Sequence, residues 1–251
     1  MKITRLLIAL SSALLFSHSH AQSTTIAVAS NMKDAFAAIQ TEFKSNHAGD
    51  FRVVYGSSGN ITAQILNGAP FSLFISGDES YPLELFKRKV TLDEGKVYAI
   101  GKIALLSNRS KGIALGTSKA AIANAIQKAN KIAIAKPELA PYGKAAVDYL
   151  KAEGLWDTAK TKLVYGDNIS VASMYVASGA ADIGFTALSL ALSPDIAKET
   201  QYLVLSPISY EPIKQRMILL KNPPPIATAL YQFMQSPKAR SILQSYGYQI
   251  P

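Results

Sequence analysis

The chain has 251 residues, is 49% hydrophobic and carries a formal net charge of +9, enough apolar material to fill real cores and to exclude a disordered chain. The absence of cysteine excludes disulfides, thiolate metal sites, cysteine nucleophiles and an N-terminal lipid-anchored cysteine. The lysines are scattered, with no basic run interleaved with aromatics, which favours a solvated surface over a nucleic-acid partner.

In chain order, residues 1–21 read as a signal peptide. Met1-Lys2-Ile3-Thr4-Arg5 is a positive start, residues 6–16 are apolar, and Ser19-His20-Ala21 fits a small-x-small cleavage site before Gln22. The apolar run is too short to span a bilayer, and no later stretch is apolar enough, so a soluble periplasmic product is expected. Removing Lys2 and Arg5 lowers the formal charge from +9 to +7, and losing His18 and His20 leaves His47 as the one mature histidine.

Beyond the signal, strand-like and helix-like segments alternate. Strands are expected at 25–29, 51–55 and 71–76. Helices are expected at 34–43, with Ala35, Phe36, Ile39 and Phe43 on one face, at 61–67 and at 81–89. This βαβαβ run implies a mainly parallel sheet with helices on both faces. Residues 98–107 and 216–220 read as longer strands, and the rhythm restarts between them. Strands are expected at 131–134, 162–165 and 182–186, and helices at 143–152 and 171–178. Asn222-Pro223-Pro224-Pro225 breaks the chain, and helical patterns follow at 227–234 and 237–245. The expected architecture is α/β with two lobes, each a mixed, mainly parallel sheet flanked by helices. Lobe 1 takes residues 22–101 and 214–251, and lobe 2, residues 102–213, is inserted in it.

In such sheets ligands sit beyond the carboxyl ends of strands, where helix N-termini offer unpaired N–H groups and partial positive charge. Four turns qualify. Ser30-Asn31-Met32-Lys33-Asp34 resembles a capping box, and a plain helix cap is the favoured reading there. Gly56-Ser57-Ser58-Gly59 permits close backbone approach and supplies two hydroxyls, or is an ordinary turn. Residues 136–143 place two prolines before a helix. In residues 165–170, Asn168 could simply cap the next helix. Their recurrence in both units points to an anion site between two lobes.

Enzymatic readings have little material. Gly56-Ser57-Ser58-Gly59 is one residue too short for a nucleophile elbow, a Walker A loop is missing, and His47 alone supports neither a Ser-His pair nor a His-rich metal site. Asp78-Glu79 and Asp93-Glu94 read as surface or caps.

Several blocks in a fixed order carry a resemblance. They are Val28-Ala29-Ser30-Asn31, Tyr55-Gly56-Ser57-Ser58-Gly59-Asn60, Gly68-Ala69-Pro70, Phe74-Ile75-Ser76-Gly77-Asp78, Pro137-Glu138-Leu139-Ala140-Pro141-Tyr142-Gly143, Gly154-Leu155-Trp156, Gly166-Asp167-Asn168-Ile169, Gly179-Ala180-Ala181-Asp182-Ile183-Gly184-Phe185 and Tyr246-Gly247-Tyr248. Over nearly all of the mature sequence the chain resembles the periplasmic molybdate-binding proteins, soluble receptors of ABC importers.

The resemblance implies a type II periplasmic-binding-protein fold whose lobes close over one oxyanion, molybdate or tungstate. It places ligand contacts at Asn31, Ser58, Tyr142 and Ile169, with Ser30 beside the first. Asn31 and Ser58 would donate through side chain and backbone. Tyr142 and Ile169 would donate through backbone N–H alone, so little is expected of the Tyr142 phenol. Thr186 aligns where some members contribute a tyrosine hydroxyl. The implied protein is a monomer without catalysis or cofactor, holding molybdenum only as the oxyanion with no direct protein–metal ligand, and its partner is a membrane permease. The rival readings are the same fold holding sulfate, phosphate or a small organic anion, a secreted hydrolase using Ser58, and a sensing module.

Overall fold

The computed structural model describes residues 24–251; the signal peptide read at residues 1–21 lies outside them. Ten strands run in order: β1 (Thr25–Ala29), β2 (Arg52–Gly56), β3 (Leu73–Ile75), β4 (Lys96–Gly101), β5 (Ile103–Asn108), β6 (Ile132–Ala135), β7 (Leu163–Gly166), β8 (Ile183–Ala187), β9 (Thr200–Val204) and β10 (Ile213–Leu219). They form two five-stranded sheets, ordered β2-β1-β3-β10-β4 and β7-β6-β8-β5-β9. In the first, β2, β1 and β3 are parallel and β10 runs against both its neighbours. In the second, β7, β6 and β8 are parallel and β5 runs against both of its own. Each sheet is therefore mixed and mainly parallel, with one reversed strand.

Burial explains the strand patterns. β1, β6 and β8 are buried along their whole length, because helices cover both faces, so their sequences are continuous apolar runs. β2 lies at an edge and is only partly buried. Phe36, Ile39 and Phe43 of the helix Lys33–Lys44 pack with Leu230 and Leu243 on one face of the first sheet. Ile61, Ile65 and Leu85 pack on the other. A separate core built on Leu105, Ile134, Tyr149 and Phe185 serves the second sheet.

Most expected elements are present within a residue or two. Residues 98–107 differ: they are two strands, β4 and β5, in different sheets, with Lys102 between them. The chain leaves one core and enters the next with the single polar residue Lys102 between two apolar runs, so the apolar pattern hides the crossing. The helix expected at 61–67 begins three residues earlier, at Ser58. Its first turn is made of the small polar residues that also read as a loop. The helix Lys119–Lys128 and strand β9 have no counterpart in the sequence reading.

Candidate functional site

Four turns at the carboxyl ends of parallel strands face one another across the junction of the two sheets. After β1 comes a tight turn, Ser30–Met32, and after β2 the helix Ser58–Leu66. From the second sheet come the helices Pro141–Ala152, after β6, and Ile169–Ala177, after β7. Proline at the first position suits Pro141, where no intrahelical bond is lost. The cleft between them, a cavity of about 10 Å³, is lined by Ala29, Ser30, Asn31, Ser57, Ser58 and Tyr142, with Ile169 among the rest. All five residues expected at the site thus line one cleft, and no lining residue carries a formal charge. As first-turn residues, Ser58, Tyr142 and Ile169 have backbone N–H groups without intrahelical acceptors, on the positive side of a helix dipole.

The serines differ in their bonding. Ser58 Oγ accepts from the Gly77 N–H at 2.9 Å, which leaves its own proton to donate. Ser57 precedes the helix without capping it. Its Oγ is buried and has no hydrogen-bond partner among the described residues. A dry hydroxyl of this kind costs about 1–3 kcal/mol unless something accepts from it. The sequence reading named both serines as hydroxyl sources but carried only Ser58 into the ligand set. Ser57 was legible only as the residue next to the glycine of the turn.

Asn31 is arranged differently from the capping box expected there, for neither the turn nor the helix after it has a side-chain cap. Its carboxamide instead donates to Gln215 Oε1 at 3.0 Å and to the Tyr248 hydroxyl at 2.9 Å. Its backbone carbonyl accepts from the Ser189 hydroxyl at 2.8 Å, and the Tyr248 hydroxyl lies 3.0 Å from the same oxygen. With both side-chain N–H groups committed, the donor Asn31 can offer the cleft is its backbone N–H. Gln215 also accepts from the Tyr98 hydroxyl at 2.8 Å and donates to the Tyr142 hydroxyl at 2.8 Å. Burial raises the Tyr98, Tyr142 and Tyr248 phenols above their ordinary value, so this cluster stays neutral.

Asn168 does cap its helix, accepting from the Val171 N–H at 3.1 Å. Thr186 is fully buried and bonds to the Ser173 hydroxyl, which in turn donates to the Ile169 carbonyl at 2.8 Å. It therefore stands behind the Ile169 turn and is not among the cleft's lining residues. The acidic pairs are structural. Glu79 holds Arg216 at 2.7 Å, and Asp78, its carboxyl raised by burial, accepts from Ser76 and Ser80. Asp93 accepts from the Gly95 N–H at 2.8 Å. His47 stacks on Phe43 at 4.1 Å, away from the cleft.

The lobes touch beside the cleft. The Gly59 N–H donates to the Leu139 carbonyl at 2.9 Å, and the Tyr81 hydroxyl to the Glu138 carbonyl at 3.0 Å. A side chain at Gly59 would place its Cβ 3.0 Å from Leu139 backbone and 2.8 Å from the Tyr81 hydroxyl, so the close approach requires glycine there.

Comparison with known proteins supplies relatives of the whole chain. The molybdate-binding protein ModA of Azotobacter vinelandii is 33% identical over 98% of this chain and 97% of its own. The protein of that name from Rhodobacter capsulatus is 33% identical over 88% of this chain and 86% of its own. The solved Azotobacter vinelandii periplasmic molybdate-binding protein superposes with a TM-score of 0.77 at 31% identity, covering 91% of this chain and 100% of that one. The family described as bacterial extracellular solute-binding protein matches residues 24–249. The chain belongs to that bacterial extracellular solute-binding protein family.

Proposed function

We propose that the protein is a periplasmic receptor that captures molybdate, and tungstate with it, between its lobes and hands the ion to an ABC importer. One observation carries the reading: helix N-termini from both sheets meet in an uncharged cleft lined also by Ser57, whose hydroxyl has no hydrogen-bond partner among the described residues. The two relatives and the solved structure whose names include molybdate binding add to it.

The proposed donors are the backbone N–H groups of Asn31, Ser58, Tyr142 and Ile169 and the hydroxyls of Ser57 and Ser58, with Ser30 beside them. Hydrogen bonds to a charged group contribute about 1.5–3 kcal/mol each. Five or so outweigh an association cost of at least ~4 kcal/mol and leave enough for tight binding. Neutral donors suit a dianion that must also be released, since no lysine or arginine forms an ion pair with it. A hydrolytic reading gains no support, because no lining residue is an acid or a histidine that could activate Ser58.

Calorimetric titration with molybdate, tungstate, sulfate and phosphate tests the proposal. Molybdate and tungstate should bind one to one and far more tightly than sulfate. Sulfate binding as tightly as molybdate would overturn the assignment of the ion. Loss of high-affinity molybdate uptake on deletion of the gene distinguishes transport from sensing.

A further inference from the structure

Three observations meet at Gln215. First, it lies on β10, the strand that returns the chain from the second sheet to the first, and it is fully buried. Second, the register between β10 and β4 slips between Gln215 and Arg216, and such a bulge re-aims the side chains beside it. The re-aimed carboxamide reaches one residue of the proposed anion site from each lobe. Its Oε1 accepts from Asn31 Nδ2 at 3.0 Å and its Nε2 donates to the Tyr142 hydroxyl at 2.8 Å. The Tyr98 hydroxyl donates to the same Oε1, so both ends of the carboxamide are engaged. Third, Gly101 on β4 leaves the space in which they meet. A Cβ there would sit 2.0 Å from the Tyr142 hydroxyl and 2.6 Å from Gln215 Nε2.

Gln215 finds Asn31 and Tyr98 within the first lobe and also reaches across to the Tyr142 phenol of the second. Asn31 and Tyr142 lie 184 and 73 positions away, one on the turn after β1 and one on the helix after β6. Those two residues are the ones whose backbone N–H groups are proposed to converge on the ion, and Gln215 holds their side chains.

We infer that Gln215 is a positioning residue that fixes the two half-sites in register when the lobes meet, through Asn31 on one side and the Tyr142 phenol on the other. The inference rests on the oxyanion reading above. It gives the Tyr142 phenol a task where the sequence reading expected little of it. The cross-lobe bond exists only with the lobes together, so its loss speeds ion release and leaves capture unchanged.

Stopped-flow kinetics with sodium molybdate on the wild type, Gln215→Leu, Tyr142→Phe and the double variant test this. Each single variant should release molybdate about tenfold faster, the loss of a buried hydrogen bond, with an unchanged association rate. The double variant should be no worse than Gln215→Leu, because the phenol acts through the carboxamide. Unchanged release in Tyr142→Phe, a fully additive double variant, or a lowered melting temperature without faster release would each overturn the inference. Should Gln215→Leu fail to fold, Tyr142→Phe, which keeps the ring, decides alone. Wild-type protein that takes up none of molybdate, tungstate, sulfate and phosphate would refute the oxyanion reading itself, and Gln215 with it. Wild-type binding matched by the variants would refute only the role of Gln215.

Discussion

Strand for strand, the two sheets are alike. Each has three adjacent parallel strands, one reversed strand and a fifth running with the first three. The reversed strand is in each case the one by which the chain enters or re-enters that sheet, β5 in the second and β10 in the first. The turns above the sheets differ. In the first lobe Ser57 and Ser58 line the cleft, and neither hydroxyl donates to another residue in the hydrogen bonds described. In the second, Asn168 caps its own helix, while Thr186 and Ser173 bond to each other behind Ile169. The second lobe is left with backbone N–H groups to present. Topology thus fixes where donors gather, and the local bonding of each polar side chain decides which of them remain free. A hydroxyl can rotate toward an oxygen, whereas an amide at a helix start has one direction.

The largest expected effect breaks the second lobe's half. Ile169→Pro deletes the backbone N–H at a helix position where proline is tolerated, and Asn168 before it is already extended (φ −151°, ψ 173°), as proline requires. Molybdate affinity should fall by about 1.5–3 kcal/mol, measured by calorimetry, whereas Ile169→Ala should change it little. Equal losses in both variants would show that the side chain carries the contact. In the first lobe, Ser58→Ala should weaken binding by about 1–3 kcal/mol through a lost buried donor; unchanged affinity would remove Ser58 from the site. Thr186→Val sharpens the contrast. It should lower stability by about 1 kcal/mol in denaturant melts and leave affinity nearly intact, and a large affinity loss would place Thr186 on the ion. The smallest effect comes from pH. Tyr98, Tyr142 and Tyr248 have phenols raised above 10 by burial. Their contribution to stability is therefore complete below pH 10, the unfolded value, and is lost as pH rises from there toward the folded values. Thermal melts should be flat in this respect up to pH 9 and fall above pH 10.

Much of this was legible in the sequence because parallel strands buried on both faces announce themselves, as 25–29 and 131–134 did. The site residues were legible only as turns at strand ends, and the resemblance chose among them. Two kinds of information were missing. Apolar continuity concealed the crossing at Lys102, since both cores want the same residues. Long-range side-chain partners were also invisible. Nothing near Asn31 in the chain says that its carboxamide bonds to Gln215 and Tyr248, so a local cap was the natural expectation. For the same reason Gln215, one residue before the strand expected at 216–220, drew no reading at all, and Ser57 was left out of the ligand set beside Ser58.

Ser57 bears on the protein when it carries nothing. With the lobes together its oxygen is buried and finds no partner among the described residues, a penalty that parting the lobes would relieve through solvation. On the proposed function, a captured ion would relieve the same penalty without parting them. A single hydroxyl would then disfavour shutting on nothing and favour shutting on cargo, tying the shape of the molecule to whether it is loaded.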